Sequence, residues 1–112
     1  MFRGPTMDTP LETDVTTAAQ LHREGALLLD VREASEVATC VVAGSRHIPM
    51  RQIPENLTTL PREQLILVLC HVGARSMRVT RFLRANGFAR VSNVAGGIDA
   101  WAVHIDPALA RY

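Results

Sequence analysis

The chain has 112 residues, 47% of them hydrophobic and 21% charged, with a formal net charge of +1. That length buries one core and is too short for two, and so small a charge gives no field for gathering nucleic acid or anionic lipid. No apolar run approaches the roughly 20 residues of a membrane span, and Met1-Phe2-Arg3-Gly4-Pro5-Thr6 lacks the apolar segment of a signal peptide, so a cytoplasmic protein is expected.

Residues 1–13 mix Pro, Thr, Gly and acids without periodicity and predict a flexible N-terminal tail, with Met7 as an alternative start and one domain over residues 14–112. Asp14 or Thr16 caps a short helix over 18–23 that Gly25 ends. The run Ala26-Leu27-Leu28-Leu29-Asp30-Val31, apolar until its charge, has the pattern of a strand buried on both faces of a parallel sheet. A second helix is expected over 34–38, a short strand near Arg46-His47-Ile48, and a helical turn over 57–60 that Pro61 stops. Leu65-Ile66-Leu67-Val68-Leu69 is a second buried strand, running straight into Cys70. Residues 76–86 have helical spacing, with Val79, Phe82 and Leu83 on one face and Asn86-Gly87 as the stop. Val91 to Val94 is a last short strand, and after Gly96-Gly97 a helix begins at Ile98. Strands alternating with helices predict an α/β domain on a mainly parallel sheet, with ligands at the carboxyl ends of the strands, where Asp30 and Cys70 both fall.

The chemistry concentrates in Cys70-His71-Val72-Gly73-Ala74-Arg75. A glycine between a strand and a helix lets successive backbone N–H groups turn into one concavity, and the helix N-terminus adds partial positive charge there. Arg75, with His71 when protonated, adds more, and all of these favour a thiolate, the nucleophilic form of Cys70. A cysteine closing an apolar strand is more often a small buried hydrophobe; Gly73, Arg75 and the immediate helix start tip the balance toward reactivity. Such a loop also suits phosphate binding and phosphate-ester chemistry, so the residues leave the reaction open.

Cys40 and Cys70 are expected to be free thiols. The chain has no CxxC, and His22, His47, His71 and His104 show no ligand spacing, so neither a metal site nor a cofactor is expected.

The sequence resembles the rhodanese homology domain along most of its length. Leu28-Leu29-Asp30-Val31-Arg32-Glu33 with Glu36 resembles the family's first motif, and Gly44-Ser45 with Ile48-Pro49 its second. Cys70-x-x-Gly73-x-Arg75-Ser76 resembles its active-site loop, Leu83-x-x-x-Gly87-Phe88 the helix end that follows, and Val91, Val94, Gly96-Gly97 and Trp101 its closing signature. Each motif is weak alone; five in order, across roughly residues 14–107, are specific. The resemblance implies a three-layer domain in which helices flank a central, mainly parallel five-stranded sheet. It implies a sulfurtransferase that moves a sulfane sulfur from a donor such as thiosulfate to cyanide or a thiol, through a persulfide on Cys70.

In that reading His71, Val72, Gly73, Ala74 and Arg75 bind the substrate, their N–H groups steadying the persulfide, while Asp30, Arg32 and Ser76 support the loop. The bland alternatives are that Asp30 ends a strand and that Arg32 pairs with Glu36; Arg75 is expected to bind its own loop or an anionic donor. The partners implied are a small sulfur donor and a thiol, cyanide or protein acceptor. Other branches of the family differ in kind. Related phosphatases and arsenate reductases use a loop one residue longer than the six from Cys70 to Arg75, and rhodanese-like binding or regulatory modules often lack the cysteine. Cys40-Val41 stands where many relatives carry Gly-His, and Cys40 reads as filler ahead of a thiol that resolves the persulfide. His47 reads as a surface residue and Trp101 as core.

Overall fold

The computed structural model describes residues 8–112. Met7 and most of the tail expected over 1–13 lie outside the described residues. The last part of that stretch is ordered, which corrects the expectation: β1 (Glu12–Thr13) lies parallel to β5 (Val91–Val94), Glu12 opposite Asn93 and Thr13 opposite Val94. Two residues are too short to show an alternation, so their strand character comes from the neighbour and not from their own pattern.

Asp14 then opens α1 (Val15–Arg23), its carboxylate accepting the Thr17 N–H at 2.8 Å. Gly25, at φ +112°, turns the chain into β2 (Leu27–Asp30). After α2 (Ala34–Thr39) come β3 (Arg46–His47) and two 3-10 turns, Met50–Gln52 and Pro54–Thr59. β4 (Ile66–Leu69), α3 (Ala74–Ala85), β5 and α4 (Gly97–His104) complete the domain. The five strands are all parallel, in the order β1-β5-β4-β2-β3.

Side chains alternate across that sheet, so each central strand feeds two cores. On one face Leu29, Val31, Ile66, Val68 and Cys70 pack with Val79 and Leu83 of α3 and with Ile53 and Leu60. On the other, Leu28, Leu67 and Leu69 pack with Val15, Ala18 and Ala19 of α1, with Ile98 and Trp101 of α4, and with Cys40. Leu28, Leu29, Leu67, Val68 and Leu69 have no exposed surface, and each contributes roughly 1.5–3 kcal/mol by leaving water. The result is a three-layer α/β domain with helices on both faces. Trp101 is core, and among the described residues no helix is long and apolar enough to cross a membrane.

Candidate active site

β2 and β4 are neighbours in register, Asp30 opposite Leu69, so the chain leaves both strands at one edge of the sheet, where Cys70 follows β4. From there Cys70 to Gly73 forms a tight loop ending at Gly73, whose φ of +111° only glycine adopts without strain, and α3 begins at the next residue. The curl folds the chain back over the sulfur. Cys70 Sγ accepts the Gly73 N–H at 3.1 Å and the Ser76 N–H at 3.3 Å, and the Ser76 hydroxyl lies 3.1 Å away. Donors that converge on one atom stabilise negative charge there, reinforced by the N-terminal end of α3. Cys70 is 1% exposed, sunk at the floor of its loop.

The loop's carbonyls, which point away from the sulfur, have partners of their own. Ile98 N–H donates to the Cys70 carbonyl at 2.9 Å and Asp99 N–H to that of His71 at 3.1 Å, so the first turn of α4 clamps the loop from behind. Asn93 Nδ2 donates to the Gly73 carbonyl at 3.2 Å and to Glu12 at 2.9 Å, tying β1 to the same loop. Asn93 Oδ1 is buried without a partner among the described residues.

The charged residues pair differently from the sequence expectation. Arg32 does not pair with the Glu36 carboxylate. It is fully buried against Asp30, with Nη2 and Oδ2 at 2.6 Å, and it donates to the carbonyls of Cys40 and Glu36. Burial works against the Arg32 charge, but its hydrogen bonds to Asp30 and Tyr112 outweigh it and hold the guanidinium above its ordinary value. Asp30 is therefore the counter-ion of Arg32 and more than a strand end.

Arg75 binds neither its own loop nor an open anion position. It makes a two-pronged pair with Glu36, at 2.7 and 2.8 Å, and Arg75 in turn holds the Glu36 carboxyl down at about 2. His71 is half-buried, Val72 is 57% exposed at the loop tip, and Ala74 is exposed on the first turn of α3. His47 is no surface residue: it is half-buried, with Nε2 2.6 Å from the Arg32 carbonyl.

Three contributors escape a reading of the sequence. Glu36 is visible as a motif residue but not as the partner of Arg75, since the two are 39 positions apart. Gly97 stands in a motif without a reason. Tyr112 carries no signal at all, yet its ring stacks on His71 with centroids 4.0 Å apart.

Among the described residues no three His, Cys, Asp or Glu side chains are grouped to hold a metal. A cavity of about 630 Å³ lies along Thr9, Glu12, Asp14 and Arg90, and Cys70 does not line it.

A buried cysteine thiol at the carboxyl edge of a parallel sheet, ringed by N–H donors at a helix start, defines a loop-cysteine α/β protein. The chain belongs to the rhodanese-like domain family, whose model matches residues 14–104. It is 36% identical over 87 residues to a protein named sulfurtransferase from Allochromatium vinosum, covering 78% of this chain and 81% of that one. It is 38% identical over 91 residues to rhodanese-like/PpiC domain-containing protein 12, chloroplastic, of Arabidopsis thaliana, covering 78% of this chain but only 30% of that longer protein. The crystal structure of a rhodanese-related protein from Thermoplasma volcanium superposes with a TM-score of 0.79 at 27% identity, covering 86% of this chain and 94% of that one.

Proposed function

We propose that this protein is a sulfurtransferase that carries sulfane sulfur on Cys70. The observation that supports it best is the set of donors converging on Sγ: the N–H groups of Gly73 and Ser76 and the Ser76 hydroxyl. The reaction runs in two displacements. The Cys70 thiolate attacks the sulfane sulfur of a donor such as thiosulfate; a new S–S bond forms, the donor's S–S bond breaks, and sulfite leaves with the electron pair. The Cys70 persulfide then holds the negative charge on its outer sulfur. A thiolate or cyanide attacks that sulfur and takes it, returning Cys70 as thiolate.

His71, Val72, Gly73 and Ala74 shape the mouth of the site, with Ser76 donating to the sulfur. Arg75, neutralised by Glu36, holds the loop and does not recruit the donor. Asp30 and Arg32 brace it from the neighbouring strand end. The cytoplasm, whose reducing conditions keep Cys40 and Cys70 free, is the compartment this reading assigns. Mass spectrometry tests it: treatment with thiosulfate adds the mass of one sulfur to the Cys70 peptide, and Cys70→Ser abolishes the adduct. Absence of any adduct with thiosulfate, polysulfide and glutathione persulfide alike overturns the reading.

A further inference from the structure

The family match ends at residue 104, but the ordered chain continues back to the site. The N–H groups of Ile105 and Asp106 both donate to the Trp101 carbonyl, at 2.8 and 2.9 Å, which ends α4 and reverses the chain. Leu109 packs against the core face shared by α1 and α4, and Arg111 pairs with Asp99 at 2.9 Å. These contacts bring Tyr112 onto the Cys70 loop. Its ring lies nearly parallel to that of His71, 12° apart, with centroids separated by 4.0 Å. Its hydroxyl donates to Glu36 Oε2 at 2.8 Å and accepts from Arg32 Nη1 at 3.1 Å.

One side chain thus joins three others. Glu36, held by Tyr112, is the residue that grips Arg75 at the C-terminal end of the loop; His71, under the ring, is the first loop residue after Cys70. Arg32 connects the same hydroxyl to the buried Asp30 pair. We propose that Tyr112 is a positioning residue of this site: by stacking on His71 and bonding Glu36 it fixes both ends of the loop that holds the Cys70 sulfur. Burial pushes the Tyr112 phenol up to about 12, with Arg32 lowering it and Glu36 raising it, so the hydroxyl keeps its proton and remains a donor to Glu36 across the neutral range. A stacked ring and a two-way hydroxyl do separable work. The ring restrains His71, whereas the hydroxyl orients Glu36 and, through it, Arg75.

The proposal rests on Cys70 being the sulfur carrier, and the experiment reads the two separately. Tyr112→Phe and Tyr112→Leu are compared with wild type at a temperature where circular dichroism shows all three folded. Three quantities are measured: the single-turnover rate of persulfide formation from thiosulfate, the iodoacetamide alkylation rate of the Cys70 peptide, and the NMR shift of the His71 Cε1 proton. Tyr112→Leu is expected to slow persulfide formation about tenfold, in the rate at saturating thiosulfate more than in the concentration that half-saturates it, and to speed alkylation about threefold as the loop loosens. The His71 proton, shielded by the ring in wild type and Tyr112→Phe, moves downfield in Tyr112→Leu, and Tyr112→Phe recovers part of the persulfide rate. Persulfide and alkylation rates in Tyr112→Leu within twofold of wild type overturn the proposal, and equal losses in Phe and Leu overturn the role given to the stack. Should wild type take up no sulfur, the sulfurtransferase reading fails alone, while alkylation and the His71 shift still decide whether Tyr112 holds the loop.

Discussion

Gly97 lies so close to the peptide joining Cys70 and His71 that no side chain fits between them. A Cβ on Gly97 would stand 2.5 Å from the Cys70 carbonyl oxygen and nearer still to that of His71. This closeness lets the next two N–H groups, of Ile98 and Asp99, reach those same carbonyls. The Cys70 and His71 carbonyls on the far side of the loop are therefore held by backbone alone, while the Asn93 side chain holds that of Gly73.

Gly97→Ala meets both the backbone oxygens and a φ of +61°, and neither can yield without moving the loop. A loss of about 2–4 kcal/mol is expected, from left-handed strain plus overpacking. Gly25→Ala is the control: its φ is +112° but nothing lies within 4 Å of its added Cβ, so only backbone strain of about 1–3 kcal/mol applies. Urea unfolding of the two variants should rank Gly97→Ala as the weaker protein, and only Gly97→Ala should also slow sulfur loading of Cys70. Equal stability and equal loading would show that the close approach is relaxed at little cost.

The Glu36–Arg75 pair makes a pH prediction. Arg75 lowers the Glu36 carboxyl from 4.5 to about 2 in the folded protein. A group with a depressed folded value binds protons more readily when unfolded, so its stabilisation is full above about pH 4.5 and disappears as the pH falls through about 2. A tenfold change in proton affinity is worth about 1.4 kcal/mol, which sets an upper bound on the order of 3 kcal/mol, and solvent around the partly exposed pair lowers it. Glu36→Gln should flatten this part of the stability curve, lowering stability at pH 7 while leaving pH 2 nearly unchanged. Denaturant melts at pH 7, 5, 3 and 2 check it, and parallel curves for the two proteins would remove the pair from the acid response.

How much of this is legible in the sequence depends on the range of each interaction. The strands at 26–31 and 65–69 stand out because both faces are buried, leaving uninterrupted apolar runs. The loop is legible because strand, Cys70, Gly73 and helix start are consecutive. Glu12–Thr13 is not, since a two-residue edge strand exists only through β5. The partner of Arg75 is hidden in the same way, since Glu36 lies 39 positions away, whereas Arg32 has two local candidates, Glu36 four residues on and Asp30 two residues back, and spacing alone does not choose the buried Asp30. His47 looks like a surface residue because nothing nearby in sequence shows that the Arg32 carbonyl awaits it.

The buried Asp30–Arg32 pair predicts a non-additive pattern. Arg32→Met strands the Asp30 carboxylate without its cation and removes donors from the carbonyls of Glu36 and Cys40. A loss of about 3–5 kcal/mol is expected for breaking a buried pair from one side. Replacing both residues, Asp30→Leu with Arg32→Met, removes the orphaned charge and should be less destabilising than Arg32→Met alone. A double variant weaker than the sum of the singles would show instead that the pair's worth lies in separate contacts of each residue.

Cys40 is predicted to play no part in resolving the Cys70 persulfide, because the two thiols lie on opposite sides of the sheet. Cys70 packs with Val68, Val79 and Leu83 on the α3 face, whereas Cys40 packs with Leu28, Leu67 and Leu69 on the α1 and α4 face. The side chain that engages Cys40 is Arg32, whose Nη1 lies 3.9 Å from its Sγ and whose Nη2 donates to its carbonyl. A disulfide needs Cα atoms within about 7 Å and Cβ atoms facing each other, which would require one of the two to pass through the β2–β4 layer. Cys40→Ala should therefore keep sulfur transfer within about twofold of wild type, and its cost of roughly 1 kcal/mol should appear in stability alone, as the loss of a small buried side chain. The decisive measurement is non-reducing mass mapping after mild diamide oxidation. An intramolecular Cys40–Cys70 linkage formed before unfolding would show that the loop and the α2 end exchange faces far more readily than this packing permits.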